Sequence, residues 1–278
     1  MDEKFNKLSV CIIVYNEDRV IERCLESVKN IANEIIIVLD GKSIDKTEQI
    51  CRKYTDKIFE KKHCGFSEVH LPFAFQKAKG NWILKIDADE FLLPQHASKI
   101  NSLIKNEDVD GYFFLWRLWN GRIYITKNKP YKPVLFRKSK MFFLGVTHGI
   151  MQTYGKTKNV CIPLEHQPLY NNWCYGNFRS KQLKRAKAHA KCLLKNFYDV
   201  PKFNYNYHNY PFPIRIRRKL FFLFPLFTIY KAIVNFIKGE KSIVAAKVSL
   251  WTGLYEFYLG YFMCLEKIKL LFNLNKFQ

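Results

Sequence analysis

The stretch GNWILKIDADEFLLP, residues 80–94, places three carboxylates directly after a short apolar run. Asp87, Asp89 and Glu90 fall within four positions of a chain that has 46 basic and only 24 acidic residues. Carboxylates this close repel one another unless a cation or several hydrogen-bond donors lie among them. The stretch is therefore either a cation-binding site or a solvated strand end, and the surrounding sequence decides between the two.

Apolar runs and helical periodicities alternate around this stretch. Runs rich in β-branched residues predict buried strands, which are 8–14, 34–39, 57–61 and 82–86. Apolar residues at helical spacing predict the intervening helices, which are 20–28, 47–54 and 67–79. Asp18 is placed to cap the first helix and Gly80 to end the last. The alternation predicts an α/β fold, with a mostly parallel sheet and helices on both faces.

Polar clusters follow three of the predicted strands. Right-handed crossovers bring the carboxyl ends of parallel strands to one edge of the sheet, where ligands bind. The clusters at that edge are Tyr15-Asn16-Glu17, Asp40 with Ser43 and Asp45, and Asp87-Ala88-Asp89-Glu90. Because three strand ends supply polar side chains to the same edge, the acidic stretch is interpreted as part of a binding site.

Asp87 and Asp89 are two residues apart where a strand gives way to a loop, so their carboxylates can reach one hard divalent cation. Such an ion bridges two phosphate oxygens and offsets the charge that develops on a diphosphate leaving group. A single D-x-D is a weak signal, but its place beside Asp40 favours function. Asp40 can accept a hydrogen bond from a base or a ribose hydroxyl, whereas Asp45 is interpreted as a helix cap.

The rest of the chain predicts a second region. Residues 110–150 contain further strand patterns, with Asn120-Gly121 as a hairpin turn. Residues 173–197 are helical in pattern and very basic, and the composition becomes aromatic, apolar and basic from Pro211 onwards. These changes predict a nucleotide-binding and catalytic domain over 1–170 and a basic helical region over 171–278.

Composition and charge restrict the class of protein. The 278 residues are 48% hydrophobic and 16% aromatic, which argues against disorder. The net charge of +22 predicts an anionic partner, such as nucleic acid, acidic lipid or a phosphorylated substrate. The eight cysteines form no C-x-x-C pair and are interpreted as reduced thiols of a cytoplasmic protein. The first ten residues lack the apolar segment of a signal peptide.

Two apolar segments near the end of the chain, 220–230 and 248–265, are marginal for spanning a bilayer, which needs about 20 mainly apolar residues. Lysine and arginine flank both segments on every side, against the positive-inside tendency of a spanning pair. Helices that lie on or half-insert into an anionic leaflet explain this pattern better. The expected location is the cytoplasmic face of the membrane, where a lipid-linked acceptor would be met.

Three segments together resemble a known family. LSVCIIVYNE (8–17), IIIVLDGKSIDKT (35–47) and AFQKAKGNWILKIDADE (74–90) are similar to the nucleotide-binding half of family 2 glycosyltransferases, which have the GT-A fold. The later segments KPVLFRK (132–138) and IPLEHQP (162–168) look like parts of the lipopolysaccharide-core and related cell-envelope β-glucosyltransferases of that family.

The resemblance implies an inverting transfer of a sugar, such as glucose, from a UDP-sugar to a lipopolysaccharide-core or other lipid-linked glycan. It implies that the nucleoside pocket contains Tyr15, Asn16, Glu17 and Asp40. It also implies that Asp87 and Asp89 hold Mn²⁺ or Mg²⁺ and the diphosphate, with Glu90 following them, and that His148 serves the metal.

The general base that inversion requires is in question. Similar glycosyltransferases tend to have Val-His-Glu where this chain has Thr147-His148-Gly149. Glu165, His148 and Glu90 are the candidates for a replacement, and His166 is interpreted as a packing residue.

Two other functions remain open at this stage. A metal-dependent nucleotidyltransferase would use paired acids too, but it would favour a glycine-rich loop after the first strand, where this chain has YNEDRV. The other possible function is that of a non-catalytic basic protein that binds membrane or nucleic acid. An acid-lined sheet edge would repel a polyanion, so we expect no nucleic-acid partner.

Overall fold

The computed structural model describes residues 7–119, 124, 131–146, 149, 151–169, 176, 178–195, 197–208, 212–220, 223, 226, 229–230, 233 and 243–271. The chain forms two compact units. The first is Met1–Tyr170 with Pro201–Tyr205, and the second is Asn171–Val200 with Asn206–Gln278. The sequence analysis assigned residues 201–205 to the second region, whereas the structure places them in the first unit.

The first unit is built on an eight-stranded sheet with the strand order β3-β2-β1-β4-β7-β6-β10-β5. Its strands are β1 (Leu8–Val14), β2 (Glu34–Asp40), β3 (Ile58–Lys61), β4 (Trp82–Lys85), β5 (Glu90–Phe91), β6 (Gly111–Leu118), β7 (Tyr131–Arg137) and β10 (Thr157–His166). A smaller sheet contains β8 (Met141–Leu144), β9 (Gln152–Thr153) and β11 (Lys202–Phe203), in the order β11-β8-β9.

Strands β3, β2, β1 and β4 are all parallel, which confirms the sheet predicted from the sequence. β7 runs antiparallel to β4, and β6 antiparallel to β7, so the sheet continues beyond β4 as a mixed sheet. The predicted turn at Asn120-Gly121 lies outside the described residues.

Helices cover both faces of the parallel strands because alternate strand residues point to opposite faces. One face of β1, formed by Leu8, Val10 and Ile12, packs on α1 (Ile21–Val28). The other face contributes Cys11 and Ile13 to a core shared with α3 (Leu71–Lys77). The remaining helices of this unit are α2 (Thr47–Cys51), α4 (Pro94–Ala97) and α5 (Ile100–Ile104).

Two residues that were predicted to cap helices, Asp18 and Gly80, do not do so. No side chain caps α1, and the carbonyl oxygen of Glu17, rather than Asp18, accepts the N–H groups of Val20 and Ile21. α3 ends at Lys77, so Gly80 does not end it. A Cβ on Gly80 would lie 2.6 Å from both the carbonyl oxygen of Lys7 and Oγ of Ser9, so glycine is required by the close approach to β1.

The second unit contains α6 (Leu183–Leu194), α7 (Phe212–Lys219) and α8 (Ile243–Leu271). α6 lies within the segment 173–197 that was predicted to be helical, and a π-helical segment, Phe178–Gln182, precedes it. α6 packs on α8 through the buried side chains of Ala186, Ala190, Leu193, Leu259 and Met263. Within the described part of the chain, no helix has both the length and the apolar character needed to cross a bilayer.

Candidate active site

The registers of the parallel strands bring the predicted polar clusters to one edge. β1 pairs with β2 up to Val14 and Leu39, and with β4 up to Cys11 and Lys85. Tyr15, Asp40 and Asp87 therefore all follow the carboxyl ends of adjacent parallel strands. This edge is where open α/β sheets bind their ligands.

Asp87 is held between two lysines. Nζ of Lys85 lies 2.6 Å from Oδ1 of Asp87, and Nζ of Lys132 on β7 lies 2.6 Å from Oδ2. Burial alone would raise the pKa of Asp87, but the two ammonium charges outweigh it and hold the pKa well below its ordinary value. Both oxygens of this predicted metal ligand are thus already paired with internal cations.

Glu90 is fully buried and also pairs with Lys132, at 2.5 Å. Its second carboxylate oxygen accepts the backbone N–H of Asp87 at 2.9 Å, which closes the D-A-D-E turn on itself. Glu90 therefore stabilises the acidic loop through these contacts, and both of its oxygens already have donors.

Glu165 lies on β10, beside β5, where it pairs with Phe91. Its side chain is only 2% exposed, and it accepts hydrogen bonds from Arg117 at 2.8 Å and from the hydroxyl of Tyr124. The structure brings Glu165 next to the acidic stretch, as a substitute base would require. Its two oxygens are nevertheless engaged by these donors.

Asp89 differs from its acidic neighbours in having a free oxygen. Oδ2 of Asp89 lies 3.3 Å from Nε2 of His166, and no described residue donates a hydrogen bond to Oδ1. Burial would lower the pKa of His166, but the hydrogen bond and charge of Asp89 raise it above its ordinary value. His166 thus pairs with Asp89 as well as packing in the unit, and it leaves the other carboxylate oxygen without a donor among the described residues.

Asp40, at the end of β2, organises the loop after β3. Its carboxylate accepts hydrogen bonds from the backbone N–H groups of Cys64 at 2.6 Å and Gly65 at 3.0 Å, and from Nε2 of His70 at 2.8 Å. Burial would raise the pKa of Asp40, but these donors lower it. Asp40 is 4% exposed, so in this structure it shapes the wall of the edge.

The segment after β1 adds polar and aromatic groups to this wall. The ring of Tyr15 stacks against His63, with 4.4 Å between ring centroids, and Tyr15 remains 39% exposed. Asn16 adopts a left-handed conformation, and its Oδ1 accepts the N–H of Ile44 at 3.0 Å. The backbone N–H of Glu17 donates to Oγ1 of Thr47. Asn16 and Glu17 thus tie the end of β1 to the segment after β2, and Tyr15 contacts the loop after β3.

Two places have donor atoms suited to a metal ion. Asp89 offers a free carboxylate oxygen, which fits a hard divalent cation, whereas Asp87 would first have to release its lysines. Asp40, Cys64 and His70 each bring one ligand atom within 4.8 Å of the others. Since the backbone and His70 already hold Asp40, we interpret this second group as the wall of a ligand site.

The third predicted metal ligand, His148, lies outside the described residues. Its neighbour Gly149 is described, and its N–H donates to the carbonyl oxygen of Val146 at 2.8 Å. The roles assigned to all of these residues stay predictions.

Sequence reasoning missed several partners of the acids, above all Lys132, Arg117 and His70. No local pattern marks them, because each reaches its carboxylate through strand pairing or loop packing between distant segments. The register of β4 with β7 would have placed Lys132 near Asp87, had that pairing been known.

The sequence pattern that defines Glycosyl transferase family 2 matches residues 9–155, which is more than half of the chain. The chain belongs to this family. The resemblance seen in the three segments is thereby confirmed. The matched residues include nearly all of the parallel strands β1 to β4 and the acidic stretch that follows β4.

Two curated glycosyltransferases are similar to less than half of the chain. An uncharacterized glycosyltransferase of Rickettsia bellii is 40% identical over 106 residues, which are 38% of this chain and 35% of that protein. The SPbeta prophage-derived glycosyltransferase SunS of Bacillus subtilis is 35% identical over 102 residues, which are 32% of this chain and 21% of SunS. The matched segments thus span well under half the length of these relatives.

Among solved structures, TarS residues 1–349 of S. aureus in complex with UDP is similar to the chain, with a TM-score of 0.47 and 16% identity. The similarity covers 68% of this chain and 66% of the TarS chain.

Proposed function

We propose that the protein is an inverting glycosyltransferase that moves a hexose, such as glucose, from a UDP-sugar to a lipid-linked glycan of the lipopolysaccharide-core kind. Family membership favours glycosyl transfer over nucleotidyl transfer and over non-catalytic binding. The observation that carries the proposal is the edge of the sheet, where Asp89 keeps a free carboxylate oxygen beside the loop that Asp40 holds.

The nucleoside is assigned to the wall formed by Tyr15 and by the loop from 63 to 65, which Asp40 holds. The exposed part of the Tyr15–His63 ring pair offers an aromatic face, and stacking of a base on such a face contributes about 1–3 kcal/mol. The role of Asp40 is to fix the loop from 63 to 65, so that its backbone faces the ligand in one conformation.

Asp89 is the residue assigned to Mn²⁺ or Mg²⁺. A divalent cation bound there would offset the negative charge that develops on the diphosphate leaving group. The chain's own contribution is to orient the carboxylate, because Nε2 of His166 holds Oδ2 of Asp89 and leaves Oδ1 available.

Inversion also needs a group that removes the proton of the acceptor hydroxyl. Glu90 and Glu165 would each have to give up an ion pair before they could do so. His148 remains the predicted candidate outside the described residues, and Asp89 is the alternative if it does not bind the metal.

The experiment that tests the proposal uses Asp89→Asn with Glu165→Gln as its matched comparison. Binding of Mn²⁺ in the presence of UDP is measured by electron paramagnetic resonance, and release of UDP from UDP-glucose is measured in parallel. We expect Asp89→Asn to lose Mn²⁺ binding and to lower turnover by about 10²-fold or more. Retained Mn²⁺ binding with lost turnover would reassign Asp89 to the base, and normal turnover, or pyrophosphate as the product, contradicts the proposal.

The acceptor and the location are assigned from the second unit. Among the described residues from 220 to 233, the large apolar side chains are more than two-fifths exposed: Leu220, Leu223, Leu226, Ile229, Tyr230 and Ile233. The exposed basic residues Arg215 and Lys219 directly precede them. Exposed apolar side chains that follow exposed basic ones in the chain suit the surface of an anionic leaflet. We therefore place the protein at the cytoplasmic face of the membrane, where it would meet a lipid-linked acceptor.

A further inference from the structure

Lys132 lies at the centre of an ion cluster beneath the acidic loop. Its Nζ is 2.6 Å from Oδ2 of Asp87 and 2.5 Å from Oε1 of Glu90. Lys85 takes the other oxygen of Asp87, and the backbone N–H of residue 87 takes the other oxygen of Glu90. Every carboxylate oxygen of Asp87 and Glu90 therefore has a donor from the chain itself.

The sheet fixes Lys132 in this place. β7 pairs antiparallel with β4, with Trp82 opposite Arg137 and Leu84 opposite Leu135. Continuing the same register by three residues brings Lys132 opposite Asp87. Since the side chain of Lys132 is only 16% exposed, solvent screens these ion pairs weakly.

The cluster leaves little room for a second cation at Asp87. The three acids of the loop carry three negative charges, and Lys85 and Lys132 supply two positive ones, which leaves one negative charge. A divalent ion bound to Oδ2 of Asp87 would lie against the ammonium of Lys132, and two cations at that distance repel strongly. The unpaired Oδ1 of Asp89 is the position that this arrangement leaves for a metal.

We propose that Lys132 is a resident counter-ion of Asp87 and Glu90, which competes with a divalent cation for Asp87 and leaves the ion to Asp89. Lys132 is thereby a positioning residue that sets the metal affinity of the site. The inference rests on the proposed metal-assisted function and deepens it, because it specifies which carboxylate of the D-x-D pair binds the ion.

The test measures Mn²⁺ affinity of the full chain, without nucleotide and with UDP, by electron paramagnetic resonance. We expect Lys132→Met to bind Mn²⁺ about tenfold or more tightly than the original chain, because Asp87 is freed. Lys132→Arg keeps the charge and should leave the affinity unchanged. Adding Asp87→Asn to Lys132→Met should remove most of the gain, since Asp87 is the ligand that the substitution exposes.

Lys132→Met leaves Glu90 buried without its cation and could therefore impair folding. A second pair of variants removes this effect. Glu90→Gln with Lys132→Met removes both charges of that pair, and it is compared with Glu90→Gln alone. The same gain in Mn²⁺ affinity is expected between these two variants. Lys99→Met, at an exposed lysine of the same unit, serves as the control for a general loss of positive charge.

An unchanged or weaker Mn²⁺ affinity on loss of Lys132, in both backgrounds, overturns the inference. So does an equal gain in Lys99→Met. Calorimetry with UDP separates this result from failure of the proposed function. If UDP binds but the loss of Lys132 does not change the Mn²⁺ affinity, only the proposed competition is contradicted. A chain that binds neither UDP nor Mn²⁺ contradicts the glycosyltransferase proposal itself.

Discussion

A Cβ atom on Gly149 would lie 2.6 Å from the carbonyl oxygen of Leu144 and 2.8 Å from that of Val146. Real Cβ atoms do not approach backbone oxygens this closely, so the backbone around Gly149 is shaped for a residue without a side chain. The departure from the Val-His-Glu pattern is therefore more than a missing carboxylate. A glutamate at this position requires a different path of the chain.

This packing leads to a prediction for Gly149→Glu, which supplies the carboxylate of the similar subgroup. We expect the variant to lose about 1–3 kcal/mol of stability and to gain no turnover. Thermal unfolding and UDP release are the measurements. The matched control is Gly176→Glu, because no atom of the described residues lies within 4 Å of a Cβ built there. A stable Gly149→Glu variant with raised turnover would show that this position can hold the base after all.

At the scale of the elements, Glu34 joins three parts of the sheet. Its carboxylate accepts hydrogen bonds from Ser9 on β1, from Lys57 before β3, and from the backbone N–H groups of Lys79 and Gly80 before β4. Burial would raise the pKa of Glu34, but these donors lower it from 4.5 to about 2. The parallel strands are thus fixed at the end opposite the candidate site by one carboxylate.

Glu34→Gln should lower the free energy of unfolding by roughly 2 kcal/mol at pH 7. Because the folded pKa lies below the unfolded one, the carboxylate's contribution is complete above about pH 4.5 and is lost as the pH falls toward 2. The difference between the original chain and the variant should therefore shrink over that interval in urea denaturation. Glu48→Gln, in an exposed pair with Arg52, is the control and should change stability little at any pH. A difference for Glu34→Gln that stays constant down to pH 2 contradicts the assignment.

At the scale of the whole molecule, charge and apolar surface are distributed differently in the two units. The first unit buries its apolar side chains against the sheet and uses its carboxylates in ion pairs. The second unit exposes apolar side chains next to basic ones. The proposed attraction to an anionic membrane is therefore assigned to the second unit.

Binding to vesicles of phosphatidylcholine with phosphatidylglycerol tests this distribution. Arg215→Gln with Lys219→Gln should weaken binding by about 30-fold, since each basic residue near an anionic surface contributes about 1 kcal/mol. Lys99→Gln with Lys140→Gln, at exposed lysines of the first unit, removes the same charge elsewhere and should weaken binding much less. Equal losses in both double variants, measured by co-sedimentation, would mean that net charge alone drives the binding.

Local patterns were enough to predict the parallel strands and the polar residues at their carboxyl ends. They also placed Asp87 and Asp89 at the edge of the sheet. A β-branched run buries its own residues, and the residue that follows such a run lies at the sheet edge. The helix ends at Asp18 and Gly80 were wrong, because the oxygen of Glu17 and the close approach of β1 replaced the expected caps.

The pairing of distant strands sets which donors the acids have. Lys132 reaches Asp87 because β7 pairs with β4, and Arg117 reaches Glu165 because β6 lies beside β10. These pairings join segments that are 45 and 48 residues apart in the chain. A one-residue shift of register would turn either side chain to the other face of the sheet. Local sequence patterns thus place the carboxylates at the edge of the sheet, and strand register leaves Asp89 with an oxygen that no described residue donates to.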